Sequence, residues 1–135
     1  NNKLKTKPKA DPYKEISVSE ETDRLLSAGQ RHLHLIGMFL RRNPPASNKY
    51  GAFWKEVKRH LRAAQDLVGY PDDRIEDTMD FCEQHGKKLG YRYTLETVGK
   101  FIDNFEKSMN DEDYFEYTQH KKRKLKETKN ATNDS

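Results

Sequence analysis

"FWKEVKRHLRAAQDLVGY", Phe53 to Tyr70, decides how this chain is read. At helical steps of about 100°, Phe53, Trp54, Val57, Leu61, Ala64 and Val68 fall on one side. The other side gathers Lys55, Lys58, Arg59 and Arg62, with Asp66 alone among them. This is the pattern of an amphipathic helix, and Gly69 suits its left-handed C-terminal position.

Upstream, Ser17 with Glu20 fits a capping box, and Leu25, Gly29, Leu33, Ile36 and Leu40 recur at helical spacing. Leu35, Met38 and Phe39 add apolar surface on other faces, so the second half of this helix belongs in the core. Gly29 is placed to kink or break it, and Asn43-Pro44-Pro45 stops it. Downstream, Tyr70-Pro71-Asp72-Asp73 reads as a turn, with Asp72 or Asp73 as N-cap of a third helix. That helix carries Ile75, Met79 and Cys82 and closes at Gly86 or Gly90. Thr94 caps a fourth, with the stripe Leu95, Val98, Phe101, Ile102, Phe105 and Met109. A fifth starts at Asp111, runs through Tyr114, Phe115 and Tyr117, and gives way to a polar tail. The expected fold is all-α, a bundle of four or five short helices with disordered N- and C-terminal arms. Residues 1–15 read as a disordered basic arm or linker, 16–118 as the bundle and 119–135 as a basic and polar tail.

Composition narrows the function classes. The 135 residues suit one domain, and 33% apolar against 36% charged residues gives a modest core under a strongly polar surface. A net charge of +4 permits a polyanionic partner without demanding one, because 22 acidic residues sit among the 26 Lys and Arg. The single Cys excludes an intramolecular disulfide and suits a reducing, cytoplasmic setting. No apolar run is long enough to span a bilayer, so no membrane partner is expected. Cys82 with His85, and His32 with His34, are fragments of metal spacings, but a structural zinc site needs four ligands. Neither metal nor cofactor is expected. With no G-x-S-x-G, P-loop or H-E-x-x-H, and carboxylates on solvent faces, the chain is not expected to be an enzyme by itself.

The basic stripe of Lys55, Lys58, Arg59 and Arg62, with Arg41 and Arg42 ending the preceding helix, can form a phosphate-binding ridge. It reads equally as the wet side of an ordinary helix. In "GYRY", Tyr91 and Tyr93 flank Arg92, a clamp for an unpaired base beside a phosphate, or a cover for a core edge. Acidic residues gather elsewhere. Asp72, Asp73, Glu76, Asp77 and Asp80 have only Arg74 among them, and Asp103 to Glu116 is similarly acidic. Such surfaces repel phosphates and fix orientation, though Asp72, Asp73 and Asp111 are explained as helix starts. The run Lys121-Lys122-Arg123-Lys124 with Lys126 either extends a nucleic-acid footprint or is a solvated tail.

The stretch from Phe53 to Phe105 resembles the small helical domains that accompany primase or winged-helix modules in phage and plasmid replication proteins. The likeness lies in an aromatic-led helix, the Gly69-Tyr70 break, the Ile75-led helix and the Thr94-capped helix beside a tyrosine. It covers less than half of the chain. It implies an accessory helical domain that helps a mobile-element replication protein, a primase or initiator, hold its DNA template, in single-stranded form as one option. It brings no catalytic residues. The start without Met fits a domain of such a larger protein. The competing expectation is a protein-interaction module that docks a replication or other partner through an acidic helix face.

Overall fold

The computed structural model describes residues 11–133, with side chains through Glu127. The described residues are all-α, and their β structure is limited to one isolated bridge, Glu15 to Lys49. The chain divides into two compact units, one ending at Ile102 and the other starting at Asp103.

In the first unit, α1 spans Val18–Leu26, with Ser17 as N-cap accepting from the Glu20 amide at 3.3 Å. It ends at Ser27, so the expected single long helix is broken around the exposed Gly29. α2, Arg31–Arg42, buries six consecutive residues from Leu35 to Leu40, which makes it the central element. Its Gly37 lies against α1: a Cβ there would stand 2.9 Å from the Leu26 nitrogen, so only glycine permits this crossing. The Asn43 side chain donates to the Phe39 carbonyl at 3.1 Å and satisfies one helix-end acceptor before the two prolines.

The Phe53–Tyr70 stretch forms two helices, α3 (Tyr50–Arg59) and α4 (Leu61–Asp66). The break is His60, whose amide takes a tighter bond to the Val57 carbonyl at 3.1 Å. Its ring is held 4.7 Å from that of Phe39 on α2 and is only 5% exposed. This anchor resets the helical phase. Leu67 becomes buried, and Val68, expected inside, is 44% exposed. Gly69 does not adopt the expected left-handed conformation; among the described glycines only Gly90 does, at φ 80°.

α5, Asp72–Leu89, buries Ile75, Met79 and Cys82 as expected, together with Asp77, Thr78 and Phe81. Its N-cap is Pro71, which frees the Asp72 carboxylate for other work, and Gly90 closes it with an amide bond to the Gly86 carbonyl at 2.7 Å. α6, Leu95–Phe101, starts at Thr94 with a reciprocal capping box to Thr97. The expected stripe through Met109 is not one helix, because α6 stops at Ile102.

In the second unit, Phe105 lies in a 3₁₀ turn (Phe105–Ser108), followed by α7 (Asp111–Asn133). The ring of Phe105 meets Tyr117 edge-on at 5.2 Å. α7 carries the basic run and crosses the boundary expected at 118/119. Asn110 accepts from the Asp113 amide at 2.8 Å, acidic residues fill the first turn, and Lys and Arg are good helix formers. The expected N-terminal arm is ordered from Asp11 onward, because Pro12, Lys14 and Ile16 exchange backbone bonds with Asn48, Tyr50 and Gly51 at 2.8–2.9 Å. The rest of that arm, residues 1–10, and residues 134–135 of the expected tail lie outside the described residues.

Candidate nucleic-acid interface

On α3, Phe53 and Val57 face inward, which leaves Lys55, Lys58 and Arg59 exposed on the opposite side. Lys55 and Lys58, three residues apart, are neighbours on the helix surface. Arg62 follows on α4 and is also exposed. Because the helix breaks at His60, the four do not lie on one continuous wheel. Arg59 bonds Glu56 one turn back at 2.9 Å, an exposed pair that solvent screens. Lys55, Lys58 and Arg62 make no ion pair among the described residues. Arg41 and Arg92 are exposed as well.

Two expected site residues do not belong to this surface. Arg42 is turned onto α5, where its Nη1 meets Asp80 Oδ1 at 2.7 Å and Glu83 Oε2 at 3.3 Å. Tyr93 is only 7% exposed; its hydroxyl accepts from Asn43 at 3.0 Å and donates to Glu83 at 3.2 Å, and desolvation pushes it up to about 12. The two residues thus converge on Glu83 and seal α2 against α5, so neither is open to a phosphate or a base. Tyr91 is half-buried, with its hydroxyl 2.6 Å from His85 Nδ1 in a ring cluster that includes Phe81 and Phe101. The tyrosine clamp around Arg92 therefore reduces to Arg92 itself.

The acidic face of α5 is largely consumed within the fold. Asp72 binds Arg31 at 2.5 Å and His34 Nε2 at 2.8 Å, while His34 Nδ1 donates to the Leu26 carbonyl at 2.8 Å. Both ring nitrogens of His34 face acceptors, so the imidazolium fits this site. The Leu26 carbonyl, with Asp72, holds its pKa above the ordinary 6.5 against desolvation. Burial alone would raise Asp72, but the bonds from His34 and Arg31 outweigh it and leave the carboxyl below its usual range. Asp80 is engaged by Arg42, and Asp77 is buried. Charge reversal at Asp77 would accordingly test the fold rather than a surface. Periodicity could not reveal Arg31 and His34 as the partners of Asp72, since 38 to 41 positions separate them.

Between α4 and α6 runs a groove of about 560 Å³. Arg59, Arg62 and Asp66 line it from the α3–α4 side and Glu96 and Gly99 from α6. Its apolar lining includes Leu67, Leu95 and Ile102, all buried residues of the core. Cys82 is fully buried, and desolvation pushes its thiol up to about 12, which leaves it a packing group. Among the described residues no cluster of three or more His, Cys, Asp or Glu could hold a metal, and no helix is long and apolar enough to cross a membrane. No protein-family model matches the chain, and neither a curated protein nor a solved structure is similar to it.

Proposed function

We propose that the first unit is an accessory nucleic-acid-binding domain that docks a DNA template, in the setting of a mobile-element replication protein such as a primase or initiator, in the cytoplasm. The observation that carries this reading is the exposed state of Lys55, Lys58 and Arg62, unpaired among the described residues, beside Arg59. Exposed cations gain affinity by releasing the counterions of a polyanion. Arg41 and Arg92 support the same role from neighbouring segments. The contacts are to phosphates, so binding by this surface is insensitive to sequence. The replication setting rests on the resemblance of the Phe53–Phe105 stretch. The competing protein-docking reading is left with few open carboxylates on α5, chiefly Asp73 and Glu76, and with the exposed acidic start of α7, Asp111 to Asp113.

The test is oligonucleotide binding by Lys55→Glu with Lys58→Glu, read by fluorescence anisotropy. Binding is expected to be lost while the helical circular dichroism is kept. For a single strand the log–log salt slope is about −0.7 per neutralised phosphate, so three contacts give roughly −2. A wild-type protein that binds no oligonucleotide, or a double variant that binds as well as wild type, overturns the proposal.

A further inference from the structure

The groove between α4 and α6 borders the cationic surface, and two of its lining residues, Arg59 and Arg62, belong to both. Its lining combines three chemistries. Half-buried Ala63 and Tyr70, backed by the buried Leu67, Leu95 and Ile102, offer an apolar face, the two guanidiniums offer anion contacts, and Asp66 and Glu96 offer acceptors without donors. A free phosphate would use the arginines alone and be repelled by the carboxylates. A simple apolar ligand would leave all four charges unanswered. A nucleotide uses every part: its base covers Ala63 and the Tyr70 ring, its exocyclic amine donates to a carboxylate, and its phosphate meets an arginine. The volume, about 560 Å³, falls inside the roughly 300–1,000 Å³ of small-ligand sites.

We infer that this groove receives one unpaired, amine-bearing base of a nucleic-acid strand whose phosphates lie on Arg59 and Arg62. This rests on the docking reading above and extends it to the form of the strand. In a duplex the faces of a base are stacked and its pairing edge is occupied, so a duplex can reach only the cationic surface. Thymine and uracil offer Asp66 and Glu96 only the ring N3–H, which lies between two carbonyl oxygens that repel a carboxylate, whereas the exocyclic amine of cytosine or adenine presents a donor with no carbonyl beside it. The exposed Glu56 pair of Arg59 does not block this use, since such a pair is weak.

Gly99 provides the decisive variant. A Cβ there would meet only Leu67 Cδ2 at 3.9 Å, an ordinary contact, so Gly99→Leu can fill the groove without disturbing the core. Leucine also has the higher helix propensity. The experiment compares labelled oligo-dC, oligo-dA and oligo-dT of equal length and a duplex, by anisotropy, with circular dichroism as the check on folding. Wild type should bind oligo-dC and oligo-dA about tenfold more tightly than oligo-dT or duplex. Gly99→Leu, and independently Glu96→Ala, should erase that preference yet keep the salt-sensitive binding that Lys55 and Lys58 supply. Equal wild-type affinity for all four probes, or a preference that survives Gly99→Leu, overturns the groove inference and leaves phosphate docking standing. Absence of binding to every probe sinks both.

Discussion

On α5 the acidic side chains reach across to other helices; on α3 and α4 the basic ones reach into solvent. Asp72 ties Arg31 and His34, Asp80 and Glu83 tie Arg42, and both ties fasten α2 to α5. Lys55, Lys58 and Arg62 tie nothing among the described residues. The two regions look alike in sequence, each a helix with charge of nearly one sign on part of its surface. The difference lies in pairing. Charge already neutralised within the fold has little left to offer a partner, and what distinguishes a docking surface is charge that the fold does not use.

The comparison can first be sharpened within α3 itself. Phe53 is fully buried on the inner face of the helix whose outer face carries Lys55 and Lys58. Phe53→Ala should cost about 3–5 kcal/mol in urea denaturation, from lost burial and the cavity left behind. A loss below about 1 kcal/mol would mean that α3 is not anchored by its apolar side, and the division into inner and outer faces would fall.

Next in size is the latch at the start of α5. Asp72→Asn removes the charge partner of both Arg31 and His34, and about 1–2 kcal/mol should be lost. With the Asp72 side chain 45% exposed, solvent screening holds the effect to the lower part of that range. An unchanged stability would place this carboxylate in the same class as the lysines of α3 and erase the contrast.

The two histidines give the contrast a pH signature. His34 has a raised folded pKa, so its contribution is complete below its unfolded value of 6.5 and disappears as pH rises through the folded one. His60 is shifted the other way, because burial outweighs the nearby Glu56. Its contribution is complete above 6.5 and declines as pH falls towards its lowered value. Stability should therefore peak near pH 6.5, and His34→Gln should remove the decline on the alkaline side alone. Retention of that decline in His34→Gln would assign it to another group.

Much of this was legible in the sequence, and the exceptions share a cause. The helical period marks α2, α5 and α6, Thr94 caps α6 as read, and Gly90 closes α5 as one of the two glycines the sequence offered, because these signals are local. The outward direction of Lys55, Lys58, Arg59 and Arg62 followed from the same period. The break at His60 did not, since it depends on a ring contact with Phe39, far away in sequence. Nor did the fate of Arg42 and Tyr93, which meet at Glu83 only after α2 and α5 pack. The groove bordering Arg59 and Arg62 exists only because α6 packs beside α4. α7 was under-read for the opposite reason: without an apolar stripe, its capped, charge-rich sequence gave no periodic signal over its full length.

The smallest expected effect is the most diagnostic. Lys58 lies three residues after Lys55 on α3, so it has a like charge beside it on the helix surface. Like charges at this spacing are destabilising by roughly 0.2–0.5 kcal/mol. Lys58→Ala should thus be neutral or slightly stabilising at low ionic strength, the reverse of the usual effect of truncating a side chain. The gain should vanish in about 1 M salt, where the screening length falls to about 3 Å. The same variant should weaken oligonucleotide binding and shorten the salt slope by about 0.7 on a single strand. Stability unchanged or raised, with binding lowered, is the behaviour of a residue kept for a partner. A loss above about 1 kcal/mol on Lys58→Ala would instead show the cations of α3 to be structural in the manner of the α5 carboxylates, and the basis for the docking surface would be gone.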